Sequence, residues 1–152
     1  MGETVKIIVE GGIKPREDSM KIAFATKDMQ NVNAHFGGAK EFLIYDVSKD
    51  GFSIYGVVKT DTSKLNGDDK TDYKVQALSG VNIMYCESIG GTAAAKVIRS
   101  GINPMKIKET QNIEKILQEL VDMINDNPPP WIKRIMNIQT TEDPRLERWT
   151  AE

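Results

Sequence analysis

Histidine and cysteine are almost missing from this chain, which has one of each, His35 and Cys86, in 152 residues. A single cysteine excludes an intramolecular disulfide, and it excludes a zinc or iron-sulfur site built from cysteines of this chain alone. Long apolar runs are also absent, and no stretch approaches the roughly 20 residues that a membrane-spanning helix requires. The opening "MGETVKIIVEGG" is interrupted by Lys6 and a glycine pair and makes a poor signal peptide, so the expected location is the cytoplasm. Basic excess is lacking as well: 28% of residues are charged, but the net charge is -2, which gives nucleic acid no footing. There is no internal repeat and no complete phosphate-binding loop. What remains is the composition of a soluble globular chain, of a length that suits one ordinary core.

The pattern of that core is α/β. "MKIAFATK" from Met20 reads as a buried strand, while the preceding "GGIKPREDS" has linker composition, so residues 1–19 are read as an N-terminal extension. "EFLIYDVS" and "FSIYGVVKT" flank Lys49, Asp50 and Gly51, a hairpin signal. "GDDKTDYKVQALSG" predicts a helix ending at Gly80, and "VNIMYC" a compact strand. "GGTAAAKVIRSG" predicts a helix with Ala93, Ala94, Val97 and Ile98 on one face and Gly101 as a left-handed cap. After the short strand "NPMKIK", Asn112 caps a helix in which Ile113, Ile116, Leu117, Leu120, Val121 and Ile124 follow helical spacing until Pro128. The domain proper is expected over residues 20–127. Residues 128–152 form a proline- and tryptophan-containing segment with a polar tail, where Trp131 reads as a packing anchor or a partner motif.

Three strands followed by alternating helices and strands imply a mixed five-stranded sheet flanked by helices, with strand order 3-2-1-4-5. The first and fourth strands then lie side by side and send the chain in opposite directions, which opens a crevice at their carboxyl ends. One wall is "NAHFGG" with Asn33, His35, Gly37 and Gly38. The other is "CESIGGT" with Cys86, Gly90, Gly91 and Thr92. His35 and Cys86 are thus expected to face each other. Imidazole and thiolate suit iron and other transition metals, the glycines let a bulky guest approach the backbone, and the helix start near Thr92 favours an anion. Two side chains cannot hold a bare metal tightly, but they suffice to grip a preassembled cluster and release it. The plain alternatives are a turn histidine and a small core cysteine.

"MKIAFAT", "VNAHFGGAKEFLIYDV", "YCESIGGTAAAKVIRSGINPMKI" and "NPPPWIKR" together resemble the nitrogenase accessory family of NifX, VnfX and the core domain of NafY, over about Met20 to Asn137. The resemblance implies a ribonuclease H-like core and a non-enzymatic carrier of an iron-sulfur precursor or of the iron-molybdenum or related cofactor. The cargo would be held transiently, so the protein as isolated need not contain it. The resemblance also implies that His35 of "HFG" is the cluster ligand, and that the partners are cofactor scaffold and maturation proteins and apo-nitrogenase, with neither nucleic acid nor membrane. It supplies no uniform counterpart for Cys86. Two rival readings put other residues of the same chain to use. In one, Asp28 and Glu87 bind a divalent metal for phosphoryl transfer, although Ala23 and Ala25 stand where such enzymes place a strand carboxylate. In the other, the chain is a chaperone of apo-nitrogenase that uses Trp131 and the tail.

Overall fold

The structure, a computed structural model, describes Ile13 and residues 19–60, 65 and 67–136. The strands among the described residues are, in chain order, β1 (Ser19–Ala25), β2 (Asn31–Val32), β3 (Glu41–Ser48), β4 (Gly51–Lys59), β5 (Ile83–Cys86), β6 (Asn103–Lys106) and β7 (Gln111–Asn112), and a five-stranded sheet is ordered β4-β3-β1-β5-β6. Its central strand β1 (Ser19–Ala25) is buried at every position, as a strand covered on both faces must be. β1 runs antiparallel to β3 (Glu41–Ser48) and parallel to β5 (Ile83–Cys86). β3 and β4 (Gly51–Lys59) form the hairpin that Asp50-Gly51 signals, with Gly51 at φ 137, a conformation that favours glycine. The short β6 (Asn103–Lys106) extends the sheet parallel to β5.

Side-chain alternation sends the two strand faces into separate apolar clusters. Met20, Ile22 and Phe24 of β1, with Ile83 and Tyr85 of β5, meet helix α3 (Ile113–Asp126) and the short α4 (Pro130–Ile135). Ala23, Ala25, Met84 and Cys86 face the other layer, where α1 (Gly67–Ala77) and α2 (Gly91–Arg99) lie. All six apolar positions expected on α3 are buried, and the Asn112 side chain accepts from Lys115 N at 3.1 Å as its N-cap. On α2 the expected face is narrower: Val97 is buried, but Ile98 is 60% exposed, because the helix seats on the sheet through the small Ala93 and Val97. Its end is a Schellman motif, with Gly101 N bonding Ile98 O, Ile102 N bonding Val97 O, and Gly101 at φ 89.

β1 starts at Ser19, and Ile13, inside the stretch read as linker, is buried against Gly80 (φ 100), where a Cβ would come within 2.5 Å of the Ile13 carbonyl oxygen. At the other end Ile132 and Met136 belong to the α3 cluster and Trp131 packs against it. The remainder of the extension, and the polar tail after Met136, lie outside the described residues.

Candidate functional site

β1 and β5 end side by side, and their exits diverge: the chain leaves β1 toward β3 and leaves β5 toward α2. From Val32 burial alternates, with Val32, Ala34 and Phe36 buried and His35 turned outward, and the chain then turns over residues 36–38, where Gly38 N and Ala39 N donate to His35 O at 3.2 and 3.0 Å. Two hydrogen bonds lace this segment to the turn after β5. Glu87 N donates to Ala34 O at 2.9 Å, and Phe36 N to Ser88 O at 2.8 Å. The crevice walls expected from the sequence therefore do adjoin.

His35 presents 62% of its side chain to solvent. Its Nδ1 is hydrogen-bonded to Ser88 Oγ, and its Nε2 lies 3.9 Å from Glu87 Oε1. Glu87 is braced in turn by Thr110, whose hydroxyl donates to Oε2 at 3.4 Å. Cys86 is placed differently from the expectation. Strand alternation aims its side chain into the layer under α1 and α2, where it is 0% exposed, and burial pushes its thiol up to about 11 despite the opposing pull of Lys106. The proximity of the loops is thus not a proximity of two open side chains: the thiol is packed as a small core side chain is.

The loop carrying His35 is fastened by a residue that sequence patterning did not single out. Lys74 of α1 is 2% exposed, and its ammonium donates to the carbonyls of Phe36 at 2.9 Å, Gly37 at 2.7 Å and Ala39 at 2.8 Å. Burial chiefly, then the Lys70 ammonium, lower it to about 8. The phenyl ring of Phe36, 5.8 Å from that of Phe42, plugs the loop into the core beneath His35. Asn33 also serves the loop, its carboxamide oxygen accepting from Lys27 N at 2.8 Å. On the other wall Gly90 caps α2 with no side-chain cap, and Gly90, Gly91 and Thr92 are all exposed. A Cβ at Gly37, Gly38, Gly90 or Gly91 would meet nothing within 4 Å, and none of the four has a positive φ, so neither crowding nor backbone conformation inside the chain calls for glycine there.

These positions decide which guest fits. Among the described residues no group of three or more His, Cys, Asp or Glu is placed to hold a metal ion, so a bare cation would lack donors. Asp28 is consumed by its own loop. Burial works to raise its carboxyl, but bonds from Gln30 N at 3.0 Å and from Asn31 N at 2.9 Å, and others from the Asn31 and Thr26 side chains, outweigh it and hold the group at about 2. One exposed imidazole beside open glycines suits instead a body that brings most of its own ligands. Among the described residues no helix is long and apolar enough to cross a membrane.

Residues 18–123 match the family described as dinitrogenase iron-molybdenum cofactor. Protein NifX of Sinorhizobium fredii is 36% identical over 85% of this chain and 86% of its own length. Protein NifX of Herbaspirillum seropedicae is also 36% identical, over 80% of this chain and 84% of its own. Among solved structures, the apo form of the orange protein from Desulfovibrio gigas superposes with a TM-score of 0.56 at 17% identity, covering 73% of this chain and 92% of that one, a likeness of fold alone.

Proposed function

The chain belongs to the dinitrogenase iron-molybdenum cofactor family, and from that premise we propose that it is a non-catalytic carrier in nitrogenase cofactor assembly. Its cargo is an iron-sulfur precursor or the iron-molybdenum or a related cofactor, held transiently and passed to a scaffold protein or to apo-nitrogenase. In this reading a ribonuclease H-like core serves carrying rather than cleavage. One observation carries the proposal: an imidazole 62% exposed, oriented through Nδ1 by Ser88, at the carboxyl-end crevice of the sheet. In the tautomer that donates Nδ1–H to Ser88, the Nε2 lone pair is available to a cluster iron, the arrangement a histidine ligand requires. Gly37, Gly38, Gly90 and Gly91 leave room for a wide body beside it, and the amides at the start of α2, near Thr92, which no side chain caps, offer partial positive charge to an anionic one. A single donor also favours release, because a cluster held permanently normally takes about four cysteine ligands.

The test is anaerobic titration of purified iron-molybdenum cofactor into wild type and His35→Ala, followed by visible absorption. His35→Ala should lose at least about tenfold in affinity while its unfolding midpoint barely moves, since a surface-loop substitution changes stability by about 0.5 kcal/mol or less. Unchanged affinity would return His35 to the role of a turn residue. A colourless protein that still co-elutes with apo-nitrogenase would favour the chaperone reading instead.

A further inference from the structure

At the end of β5 strand alternation turns Cys86 inward, and the next residue, Glu87, points out into the crevice. Its backbone is fixed beside His35. Glu87 N donates to Ala34 O at 2.9 Å and Phe36 N to Ser88 O at 2.8 Å, so the two bonds bracket the histidine. The side chains continue that pairing: Glu87 Oε1 stands 3.9 Å from His35 Nε2, with 30% of the Glu87 side chain and 62% of the His35 side chain in solvent. Each is braced at its other polar atom, Nδ1 by Ser88 and Oε2 by the Thr110 hydroxyl at 3.4 Å. In the tautomer that donates Nδ1–H to Ser88, Nε2 and Oε1 are both acceptors, with no proton to share between them. Two lone pairs braced toward one point at the mouth of a crevice are completed by a cation.

We propose that Glu87 is a second ligand of the cargo, its carboxylate and the His35 imidazole closing together on one exposed iron. This rests on the carrier reading and narrows its substrate, because the cargo must then present an iron with two replaceable positions rather than one. The donor set suits the metal: imidazole nitrogen and carboxylate oxygen together serve iron in non-haem sites. The spacing suits it as well. Two donors each about 2.1 Å from a tetrahedral metal stand about 3.4 Å apart, so a small torsional adjustment of two exposed side chains closes the gap from 3.9 Å. With Glu87 the chain supplies two donors, still short of the about four cysteines that hold a cluster permanently, and release is preserved.

The experiment is anaerobic titration of purified iron-molybdenum cofactor into wild type, Glu87→Gln and His35→Ala. Glutamine keeps the length of the side chain and an oxygen for Thr110, so the unfolding midpoint of Glu87→Gln should barely move. Removing a negative charge beside an anionic cargo would, by charge alone, tighten binding, so the sign of the effect separates a ligand from a bystander. Glu87→Gln should weaken binding about fivefold, against at least about tenfold for His35→Ala. In protein isotopically labelled at the glutamate carboxyl carbons, electron-nuclear double resonance of the bound paramagnetic cofactor should show a coupled carbon that Glu87→Gln abolishes. Unchanged or tighter binding in Glu87→Gln, or the absence of that coupling, would overturn the proposal and leave His35 as a lone ligand. Wild type that binds no cofactor would overturn the carrier reading and this proposal together, so the two failures are told apart.

Discussion

On the wall of the crevice that follows β1, a side chain normally excluded from cores, Lys74, is buried to fasten a loop whose one histidine, His35, stands in solvent. On the wall that follows β5 the arrangement is reversed: the residue with metal affinity, Cys86, is buried, and glycines and Thr92 occupy the surface. The difference teaches that chemical reputation does not decide a site. Orientation does, and the two loops set it by different means. A strand with covered faces buries whatever its alternation points inward, so Cys86 follows Met84 into the same layer. The β1 loop has left the sheet ladder, and its carbonyls need partners that apolar packing cannot supply. A buried ammonium supplies three donors to one point, and the outward face of the loop is then free to carry an imidazole.

The largest effect should come from breaking the first wall. Lys74→Met keeps the length of the side chain but leaves the carbonyls of Phe36, Gly37 and Ala39 without their donor, at a cost of about 2–4 kcal/mol in urea unfolding. Amide exchange at Phe36 to Ala39 should accelerate more than exchange in α3. The dependence on pH has a definite sign. Because burial and Lys70 lower Lys74 from 10.5 to about 8, the folded chain loses this proton before the unfolded chain does. Stability of wild type relative to Lys74→Met should therefore rise with pH through that window. A flat difference would mean that the lysine is solvated and the loop is held by Phe36 alone.

The second wall should respond more weakly and in one property only. Cys86→Ala removes a fully buried sulfur and should lower stability by about 1 kcal/mol, as the loss of one core methyl-sized group does. Cluster affinity should stay within about twofold, below the 1.4 kcal/mol that marks a tenfold change. In wild type the thiol should react with a disulfide reagent only at the rate of local opening, since burial holds it as the uncharged thiol. A tenfold loss of cluster affinity in Cys86→Ala would reinstate the two-ligand site and erase the distinction between the walls.

Much of this was legible in the sequence because it depends on local rules. Helical spacing and an Asn cap disclose α3, Asp50-Gly51 discloses the hairpin, and the sequence of strands and helices places the "HFGG" and "SIGG" loops at neighbouring strand ends. What stayed hidden depends on three-dimensional pairing. Lys74 sits in a helix of weak amphipathic character, and lysine is so rarely fully buried that its residue type argues for solvent. The pairing of β2 (Asn31–Val32) with β7 (Gln111–Asn112), which ties the His35 loop to the start of α3, spans two residues on each side and is too short to show a period. Ser88 had one available signal, its position two residues after Cys86 in a turn facing "NAHFGG", but nothing local says that a serine there will meet an imidazole rather than water.

The smallest effect is the sharpest discriminator, because its two parts have opposite signs. Gly37 lies in the His35 loop, lacks a positive φ, and has open space where a Cβ would stand. Replacing such a glycine by alanine restricts the unfolded chain at no cost to the folded one, so Gly37→Ala should raise stability by about 0.4–1 kcal/mol. The fold therefore gains nothing from glycine at this position, whereas a guest packed against the backbone, as the carrier reading has it, would. Titration of iron-molybdenum cofactor into Gly37→Ala should then show weaker binding than wild type, by less than the loss in His35→Ala, because the added methyl group displaces the cargo without removing its ligand. Higher stability with unchanged affinity would mean that the cargo stays clear of this loop backbone and sits toward the Gly90 and Thr92 side, leaving His35 to reach it from the edge.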